Sequence, residues 1–506
     1  MGSDTQASRV TYRQFVARSA AIRAASALDP ISKNRMAEPA PPFSAARCEL
    51  IVLSDDWGRH PSSCQHLVRE LMQMHGDTLE VTWVNTIGTR TMRCSAADLK
   101  RAAGKLRECM SVRAGDALPT LSRGERDNGR DAERGGTWTF ASRRIGLRGS
   151  RELWGSSDRA GVGEPRVVAP VMWPGFRNAV QRGFNARSMA RAIRRALGPK
   201  RESVRRIVLT TLPIAADLPG RLDADRWVYM AVDDFSLWPR LDGSVMDAME
   251  RRLVPRVDAA VAASETLRDR LAGMGCEAGL LTHGIDAAHW QTPAAEMPGW
   301  FTLIHGPMVL FWGLIDARLD VGWCRRLASE SGATLVVVGP TDGEPPASLR
   351  EAGVVMPGPA AYEELPAIAG RADVLVMPYI DAPVTRAMQP LKLKEYLATD
   401  RPVVARDLPA TRPWADACDL VSSEQGMIAA VKRRLTEGTP AEQRAARQRL
   451  GEHSWRRKAQ QLWAVLNGSR PKRGGLPIQR MEPLHEQGGS IVAIEFRNEQ
   501  ERLVIE

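Results

Sequence analysis

A lysine and a glutamate three residues apart, Lys392 and Glu395, are the side chains best suited to chemistry in this sequence. They follow Pro390, and a proline is well placed to begin a helix. The N-terminus of a helix offers free N–H groups and a positive dipole to phosphate. On such a helix the lysine could neutralise a pyrophosphate while the glutamate held ribose hydroxyls. An i,i+3 salt bridge on a solvated helix is the alternative.

Two other groups of polar residues follow predicted strands. Asp233 and Asp234 come after a predicted strand at residues 227–232, where a carboxylate could bind substrate hydroxyls or act as a general base. Turn and helix-capping aspartates are the alternative. His60 lies beside Gly58 in the loop after the first predicted strand, where it could contact an acceptor or act as a base, or be an ordinary exposed histidine.

The elements that must position these residues form two α/β series. Short apolar runs alternate with helical patterns, which predicts parallel sheets flanked by helices. A segment with Pro293, Pro298 and Gly299 separates the two series and suits a domain hinge. Open parallel sheets bind ligands at the carboxyl ends of their strands, so the active site is expected in a cleft between the halves. Strands are predicted at residues 50–54, 79–85, 166–169, 206–210, 227–232 and 259–262, and then at 308–312, 334–338, 353–356, 374–378 and 402–405.

The segment 389–405 resembles the donor-nucleotide segment of glycosyltransferase family 4 and its relatives of the GT-B fold, including the Pro-x-Lys-x-x-Glu-Tyr-x-Ala core. The similarity extends over about residues 48–466 and is closest to transferases of teichuronic-acid and exopolysaccharide biosynthesis. The resemblance implies an α/β protein with two Rossmann-like, doubly wound domains that face a central cleft. Further matching segments occur in the order of the family, at residues 55–63, 232–235, 263–267, 283–286 and 311–313.

The resemblance also implies roles for individual residues. Lys392 would neutralise the nucleotide pyrophosphate, Glu395 would hold the ribose, and Arg318 would be a second phosphate cation. Stabilising the departing nucleotide in this way requires no catalytic metal, and no cofactor is expected beyond the nucleotide sugar as co-substrate. The expected sites are a donor site of Gly313, Arg318, Gln389, Pro390, Leu391, Lys392 and Glu395, an acceptor side of Asp56, Trp57 and Gly58, and catalytic groups Asp233, Asp234 and His60.

Three positions depart from the family pattern. Ala387 stands where a second glutamate usually contacts the donor sugar, so sugar specificity is not carried over. Leu314 replaces an arginine that often follows the glycine of the second half's first loop, and His283 replaces the asparagine of a common turn. Phosphate binding is therefore expected to depend more on Arg318.

A basic segment accounts for the net charge of +11. Residues 143–206 contain 16 Lys and Arg against four Asp and Glu, an excess of 12 positive charges. Within it, a helix is predicted at 179–197 with Val180, Phe184, Met189, Ile193 and Leu197 on one apolar face. Packing on the core, docking on an anionic membrane surface and binding to nucleic acid are all compatible with this pattern.

The composition, 43% hydrophobic and 25% charged, is typical of a globular protein, and no apolar stretch reaches the length of a membrane span. The start lacks the apolar core of a secretory signal, so a cytoplasmic location is expected, peripheral at the inner face of the plasma membrane. We expect a retaining transferase with a nucleotide-sugar donor and a saccharide or lipid-linked acceptor, and no nucleic acid. A nucleotide-sugar epimerase of the GT-B fold and a catalytically silent basic protein that binds nucleic acid or acts as a scaffold are the alternatives. The expected domains are a disordered extension at 1–47, an acceptor domain at 48–297 with a mobile loop at about 111–138, a donor domain at 298–450, a helix at 451–466 that packs back, and a tail at 467–506.

Overall fold

The computed structural model describes residues 47–58, 62–86, 163–238, 241–291, 298–342 and 344–468. Four of the sequence-based predictions fall wholly or largely outside these residues. His60 and the loop at about 111–138 lie outside the described residues, as do residues 1–46 of the expected extension and residues 469–506 of the expected tail.

The first half of the chain folds around a seven-stranded sheet of order β3-β2-β1-β4-β5-β6-β7, in which every pairing is parallel. The strand order reverses between β1 and β4, the switch point of a doubly wound sheet. The elements are β1 (Arg47–Ser54), α1 (Ser63–His75), β2 (Leu79–Asn85), β3 (Arg166–Val168), α2 (Ala179–Leu197), β4 (Val204–Thr210), β5 (Arg226–Ala231), α3 (Gly243–Leu253), β6 (Ala259–Ala262), α4 (Glu265–Ala272), β7 (Gly279–Leu280) and α5 (Ala287–Gln291).

The second half repeats this design with a six-stranded parallel sheet of order β10-β9-β8-β11-β12-β13. Its switch point lies between β8 and β11. The elements are β8 (Met308–Trp312), α6 (Val321–Glu330), β9 (Thr334–Val338), α7 (Ala347–Glu351), β10 (Val355–Gly358), α8 (Leu365–Arg371), β11 (Val374–Met377), α9 (Pro383–Ala387), α10 (Leu391–Ala398), β12 (Val403–Arg406), β13 (Asp419–Val421), α11 (Glu424–Glu437), α12 (Ala441–Arg447) and α13 (Trp455–Asn467).

The central strands are nearly continuous apolar runs because helices cover both faces of each sheet. Residues 50–53 of β1 and 308–311 of β8 are completely buried. This double burial is why the strand predictions succeed to within a few residues. The short edge strands β7 and β13 were not predicted, and they contribute only two and three residues.

The last helix of the chain crosses back to the first half. α13 packs on α1, where His66 stacks on Trp455 with ring centres 4.5 Å apart and His75 stacks on Trp463 at 4.2 Å. Leu462 of α13 is fully buried in the same cluster. The two halves are therefore tied together at the hinge side of the cleft.

The prediction of one apolar face on the helix at 179–197 is wrong. Met189 and Ile193 are buried in the core of the first half, whereas Val180 is 81% exposed and Phe184 is 47% exposed. An α-helix turns by about 100° per residue, so positions 180 and 184 point away from positions 189 and 193. The helix has one apolar face on the core and a second, shorter one on the surface.

Candidate functional site

The carboxyl ends of the two sheets face each other across a cleft. At one side, Ser264 caps α4 and its Oγ donates a hydrogen bond to the carbonyl oxygen of Ala387, at the end of α9, at 2.7 Å. Deeper in the cleft, the guanidinium of Arg318 from the second half lies 5.0 Å from the ring centre of Trp238 from the first half. Side chains from both halves therefore meet where doubly wound sheets bind their ligands.

Lys392 occupies the first turn of α10, whose N-cap is Pro390. Its Nζ donates a hydrogen bond to the hydroxyl of Tyr379 and lies 4.9 Å from the ring centre of Phe311. In the described part of the chain, no carboxylate is within ion-pair distance of Lys392. The i,i+3 salt bridge with Glu395 that the sequence left open is thus not formed, and the lysine remains a cation held by neutral groups beside a helix N-terminus.

The loop after β8 leaves room for this lysine because residue 313 is a glycine. Gly313 has a φ of +144°, and a Cβ there would lie 2.8 Å from Cε of Lys392 and closer still to its Nζ. Gly339, with a φ of +148°, lies behind it, and a Cβ there would overlap the carbonyl oxygen of Gly313. Both positions require glycine for their backbone conformation and for the close approach.

Glu395 lies one turn further along α10 and is 8% exposed. Its Oε2 accepts a hydrogen bond from Nε1 of Trp312 at 3.1 Å. Burial raises the pKa of Glu395 to about 7, although the Trp312 hydrogen bond and the charge of Lys392 oppose the shift. Near neutral pH this carboxyl can therefore both accept and donate a hydrogen bond, which suits the hydroxyls of a ribose.

Arg318 is already neutralised. Its Nε lies 3.0 Å from both carboxylate oxygens of Asp316, and its Nη2 is 2.8 Å from Oδ2. A phosphate would have to share this guanidinium with Asp316. Of the two predicted phosphate cations, Lys392 is the one that no carboxylate of the described residues neutralises.

The remaining donor-side residues lie at the junction of the halves. Pro390 is buried, and Leu391 packs against the apolar cluster of the first half. The backbone of Gln389 lies beside the imidazole of His283 and opposes the lowering of its pKa by burial. These residues place the N-terminus of α10 on the boundary between the two domains.

Lys394 faces the opposite way from Lys392 and is 1% exposed. Its Nζ donates to Thr282 Oγ1 at 3.3 Å, to the carbonyl oxygen of His283, and to Nδ1 of His453 at 3.1 Å. Burial lowers the pKa of Lys394 to about 7. Lys392 thus lies on the face of α10 that borders the cleft, while Lys394 on the opposite face holds the helix against His283 and His453.

Asp233 and Asp234, at the carboxyl end of β5, point to different surroundings. Burial raises the pKa of Asp233 to about 7, and the charge of Arg318 and a hydrogen bond from Trp238 oppose the shift. Asp234 instead accepts a hydrogen bond from the backbone N–H of Ser236 at 3.0 Å and lies 3.4 Å from Arg270. Asp233 faces the cleft with a pKa suited to proton transfer, while Asp234 has the partners of a structural aspartate.

The residues predicted for the acceptor side lie in a loop after β1 that hydrogen bonds hold in place. Trp57 donates through its backbone N–H to Asn85 Oδ1 at 3.0 Å, and its ring centre lies 4.8 Å from that of Trp83. Gly58 has a φ of +72° and donates to Gln65 Oε1 at 3.1 Å. Gln65 Nε2 also donates to the carbonyl oxygen of Asp56 at 3.2 Å.

Asp55, which was not among the predicted site residues, organises this loop. Its Oδ1 accepts hydrogen bonds from the hydroxyls of Ser54 and Ser62, both at 2.9 Å, and its Oδ2 accepts one from Gln65. Burial raises the pKa of Asp55 despite these bonds. The carboxyl is thus held by the strand end and by the N-cap of α1.

Four further residues of the cleft were not predicted as site residues. Each is either the last residue of a predicted strand or lies in the loop that follows one. Tyr379 comes just after β11 as Asp233 comes just after β5, and Trp312 is the last residue of β8. A search of strand carboxyl ends for any polar or aromatic residue, rather than for carboxylates and histidines alone, would have found both. The four are Trp238, Trp312, Asp316 and Tyr379.

Three comparisons with known proteins agree with this architecture. Residues 321–437, which include Lys392 and Glu395, match the model of the family described as Glycosyl transferases group 1. Over 201 residues the chain is 29% identical to TuaH of Bacillus subtilis (strain 168), a protein assigned as a teichuronic acid biosynthesis glycosyltransferase. That alignment covers 37% of this chain and 50% of the relative, so the chain spans about half the length of the curated relative that it matches.

Two solved structures show the fold. The Anabaena protein HepE, in complex with UDP, superposes with a TM-score of 0.52 and 10% identity over 83% of this chain and 99% of its own. A trehalose-6-phosphate protein of E. coli bound to UDP-2-fluoro glucose superposes with a TM-score of 0.51 and 12% identity over 83% and 98%. The predicted GT-B fold and the resemblance to glycosyltransferases are confirmed.

Proposed function

We propose that the protein transfers a sugar from a nucleotide-sugar donor to a saccharide or lipid-linked acceptor in polysaccharide biosynthesis. One observation carries the proposal. Lys392 lies in the first turn of α10, beside the Gly313 loop and inside the region that matches the glycosyltransferase group 1 model, and it has no carboxylate partner among the described residues. A cation, free helix N–H groups and a close glycine backbone are together suited to a pyrophosphate.

In this proposal, the donor binds on the second half of the cleft. Lys392 would neutralise the pyrophosphate and would exchange its hydrogen bond with Tyr379 for phosphate oxygens. Glu395 would hold the ribose hydroxyls, with its carboxyl oriented by Trp312. Arg318 would be shared between Asp316 and a phosphate oxygen. The guanidinium of Arg318 would then act as a second cation that stabilises the negative charge developing on the leaving group.

Transfer breaks the bond between the sugar's anomeric carbon and the phosphate oxygen and forms a bond to an acceptor hydroxyl oxygen. Asp233, from the other side of the cleft, would hold that hydroxyl or take its proton, and its raised pKa and its interaction with the charge of Arg318 support this role. We expect retention of anomeric configuration, with the departing phosphate oxygen receiving the proton and Asp233 orienting the hydroxyl. An inverted product would instead make Asp233 the general base.

Calorimetry with UDP, GDP and their common sugar conjugates tests the donor site. Lys392→Ala and Glu395→Ala should each weaken the binding of the nucleotide sugar roughly tenfold or more, as expected for losing a charge-assisted contact. Lys432→Ala removes an exposed lysine from α11 of the same domain and should change nothing. Failure of the folded protein to bind any nucleotide would contradict the proposal.

The competing enzyme class is separated by its product. A nucleotide-sugar epimerase would convert the donor alone, whereas a transferase needs an acceptor to release the nucleoside diphosphate quickly. Incubating donor with and without saccharide and lipid-linked acceptors, and analysing products by NMR, distinguishes the two and also reports the anomeric outcome.

We also propose that the protein works as a peripheral protein at the cytoplasmic face of the plasma membrane, in contact with anionic lipid. Within the described ranges, no helix is long and apolar enough to cross a bilayer. The support for surface contact is the basic segment, whose helix α2 contains five arginines and no acidic residue.

A further inference from the structure

Four large apolar side chains are exposed close together in the first half. They are Val171 at 46%, Trp173 at 54%, Val180 at 81% and Phe184 at 47%. Among the described residues only Leu237 and Leu280 are also classed as large exposed apolar residues. A concentration of this kind within 14 residues is typical of an interaction site.

The fold holds this segment in place. Asn185 is fully buried, and its Nδ2 donates to the carbonyl oxygens of Trp173 and Gly175, both at 3.0 Å. The backbone N–H of Trp173 donates back to Asn185 Oδ1 at 2.6 Å. Met172 and Phe176 are buried in the core on either side of Trp173. The exposure of Trp173 is therefore a consequence of the packing around it.

A row of arginines continues the exposed face of α2. Steps of about 100° per residue place Val180, Phe184, Arg187, Arg191 and Arg195 within one stripe of the helix surface, and all five are exposed. Across the described ranges, none of these three arginines lies within ion-pair distance of a carboxylate. The stripe is apolar at the start of the helix and cationic beyond it.

This surface borders the acceptor side of the cleft. Residues 169–178 follow the carboxyl end of β3, and α2 begins there. At the same edge of the sheet, the backbone N–H of Trp57 donates to Asn85 Oδ1 at the end of β2, the strand that pairs with β3. A partner bound to this exposed face would therefore lie beside the loop after β1 that contains Asp56, Trp57 and Gly58.

We propose that this surface docks on a bilayer of anionic phospholipid. The apolar side chains would enter the interface, where tryptophan is favoured, while the arginines would meet the lipid phosphates. Charge complementarity and an apolar tip together favour lipid over nucleic acid, which would bind the arginines and leave the aliphatic side chains in water. The docking patch consists of Val171, Trp173, Val180, Phe184, Arg187, Arg191 and Arg195.

The inference deepens the proposed function, since a lipid-linked acceptor would then reach the cleft directly from the bilayer. Docking itself requires neither donor nor transfer, so it is measured without either. A protein that binds vesicles but no nucleotide would contradict the proposed function and support docking. A protein that binds nucleotide but no vesicles would contradict docking and support the proposed function.

The test is sedimentation of the full chain with vesicles of phosphatidylcholine containing 30% phosphatidylglycerol, against phosphatidylcholine alone. The triple change Arg187→Glu, Arg191→Glu and Arg195→Glu should lower affinity for the anionic vesicles by roughly 100-fold, because each basic residue near the surface contributes about fivefold. Trp173→Ser with Phe184→Ser should weaken binding that remains at high salt. The matched control, Arg350→Glu, Arg371→Glu and Lys432→Glu, changes exposed residues of the second half and should leave binding unchanged.

Hydrogen exchange adds a local readout, because residues 169–187 should become protected on anionic vesicles. Circular dichroism and thermal melting establish that each variant is folded. Docking is overturned if the wild-type chain does not bind anionic vesicles, or if the control variant loses binding as strongly as the patch variant. It is also overturned if a 20-base-pair DNA duplex displaces the chain from vesicles at equal phosphate concentration.

Discussion

The ammonium group of Lys392 lies where a side chain at position 313 would have to be. A Cβ on Gly313 would collide with Nζ and approach Cε to 2.8 Å, and its φ of +144° already disfavours any other residue. The glycine of the first loop and the lysine of α10 are separated by 79 positions in the sequence, yet each restricts the other.

Gly313→Ala should therefore displace Lys392 and weaken binding of a nucleoside diphosphate roughly tenfold or more, since the phosphate cation moves and the loop is strained. Calorimetry measures the loss. Gly370→Ala, where a Cβ would meet nothing within 4 Å, is the matched control. Unchanged nucleotide affinity in Gly313→Ala would separate Lys392 from the donor site.

Asp233→Asn should lower kcat by roughly tenfold or more, because the amide lacks the charge-assisted hydrogen bond that orients the acceptor hydroxyl, while leaving the donor KM nearly unchanged. Burial raises the pKa of Asp233 to about 7, so its carboxylate forms as pH rises through neutrality. Activity of the wild type should rise over the same range, and this limb should vanish in Asp233→Asn. Asp234→Asn should act mainly on thermal stability, because Asp234 contacts Ser236 and Arg270.

His66 should make the protein less stable in acid. Burial lowers the pKa of His66 to about 3, so the histidine is neutral in the fold but binds a proton when the chain unfolds below about pH 6.5. The unfolded state is then favoured as pH falls from about 6.5 towards 3, by about 2 kcal/mol at pH 5. His66→Phe keeps a ring against Trp455 without titrating.

Denaturant unfolding at pH 8 and pH 5 measures this effect, and His66→Phe should reduce the difference between the two values. Burial also lowers the pKa values of His283 and His453, so these histidines should preserve part of the stability difference between pH 8 and pH 5. His75→Phe is the comparison, since His75 stacks on Trp463 at the same pair of helices but is less buried. An equal effect of both substitutions would mean that the stacking, not the titration, matters.

Removal of metal should leave transfer intact. In the proposed site Lys392 and the N-terminus of α10 supply the positive charge that stabilises the leaving nucleotide, so the chemistry has no need of a divalent ion. Initial rates after dialysis against EDTA should match those with added Mg²⁺ or Mn²⁺. Activity that disappears with EDTA and returns with either ion would refute this prediction.

The two α/β halves, the parallel strands and the helix that begins after Pro390 could all be predicted from the amino-acid sequence, because those features depend on local periodicity, apolar runs and capping. It also placed Lys392 and Glu395 on one helix, since their spacing is local. Local spacing could not predict which of the charged side chains would be neutralised in the fold. Among the described residues Lys392 has no carboxylate partner and donates to Tyr379, whereas Asp316 neutralises Arg318, and this difference depends on how the loops fold around each cation.

The same reason separates Asp233 from Asp234, which are neighbours in sequence but face Arg318 and Arg270 respectively. It also explains why some apolar side chains of α2 are buried and others are exposed. Its five apolar residues were assigned to one face from their spacing, yet the core accepts Met189 and Ile193 and leaves Val180 and Phe184 in solvent. Local pattern specifies which residues form an element, whereas the burial and charge of each side chain depend on what the rest of the chain places against it.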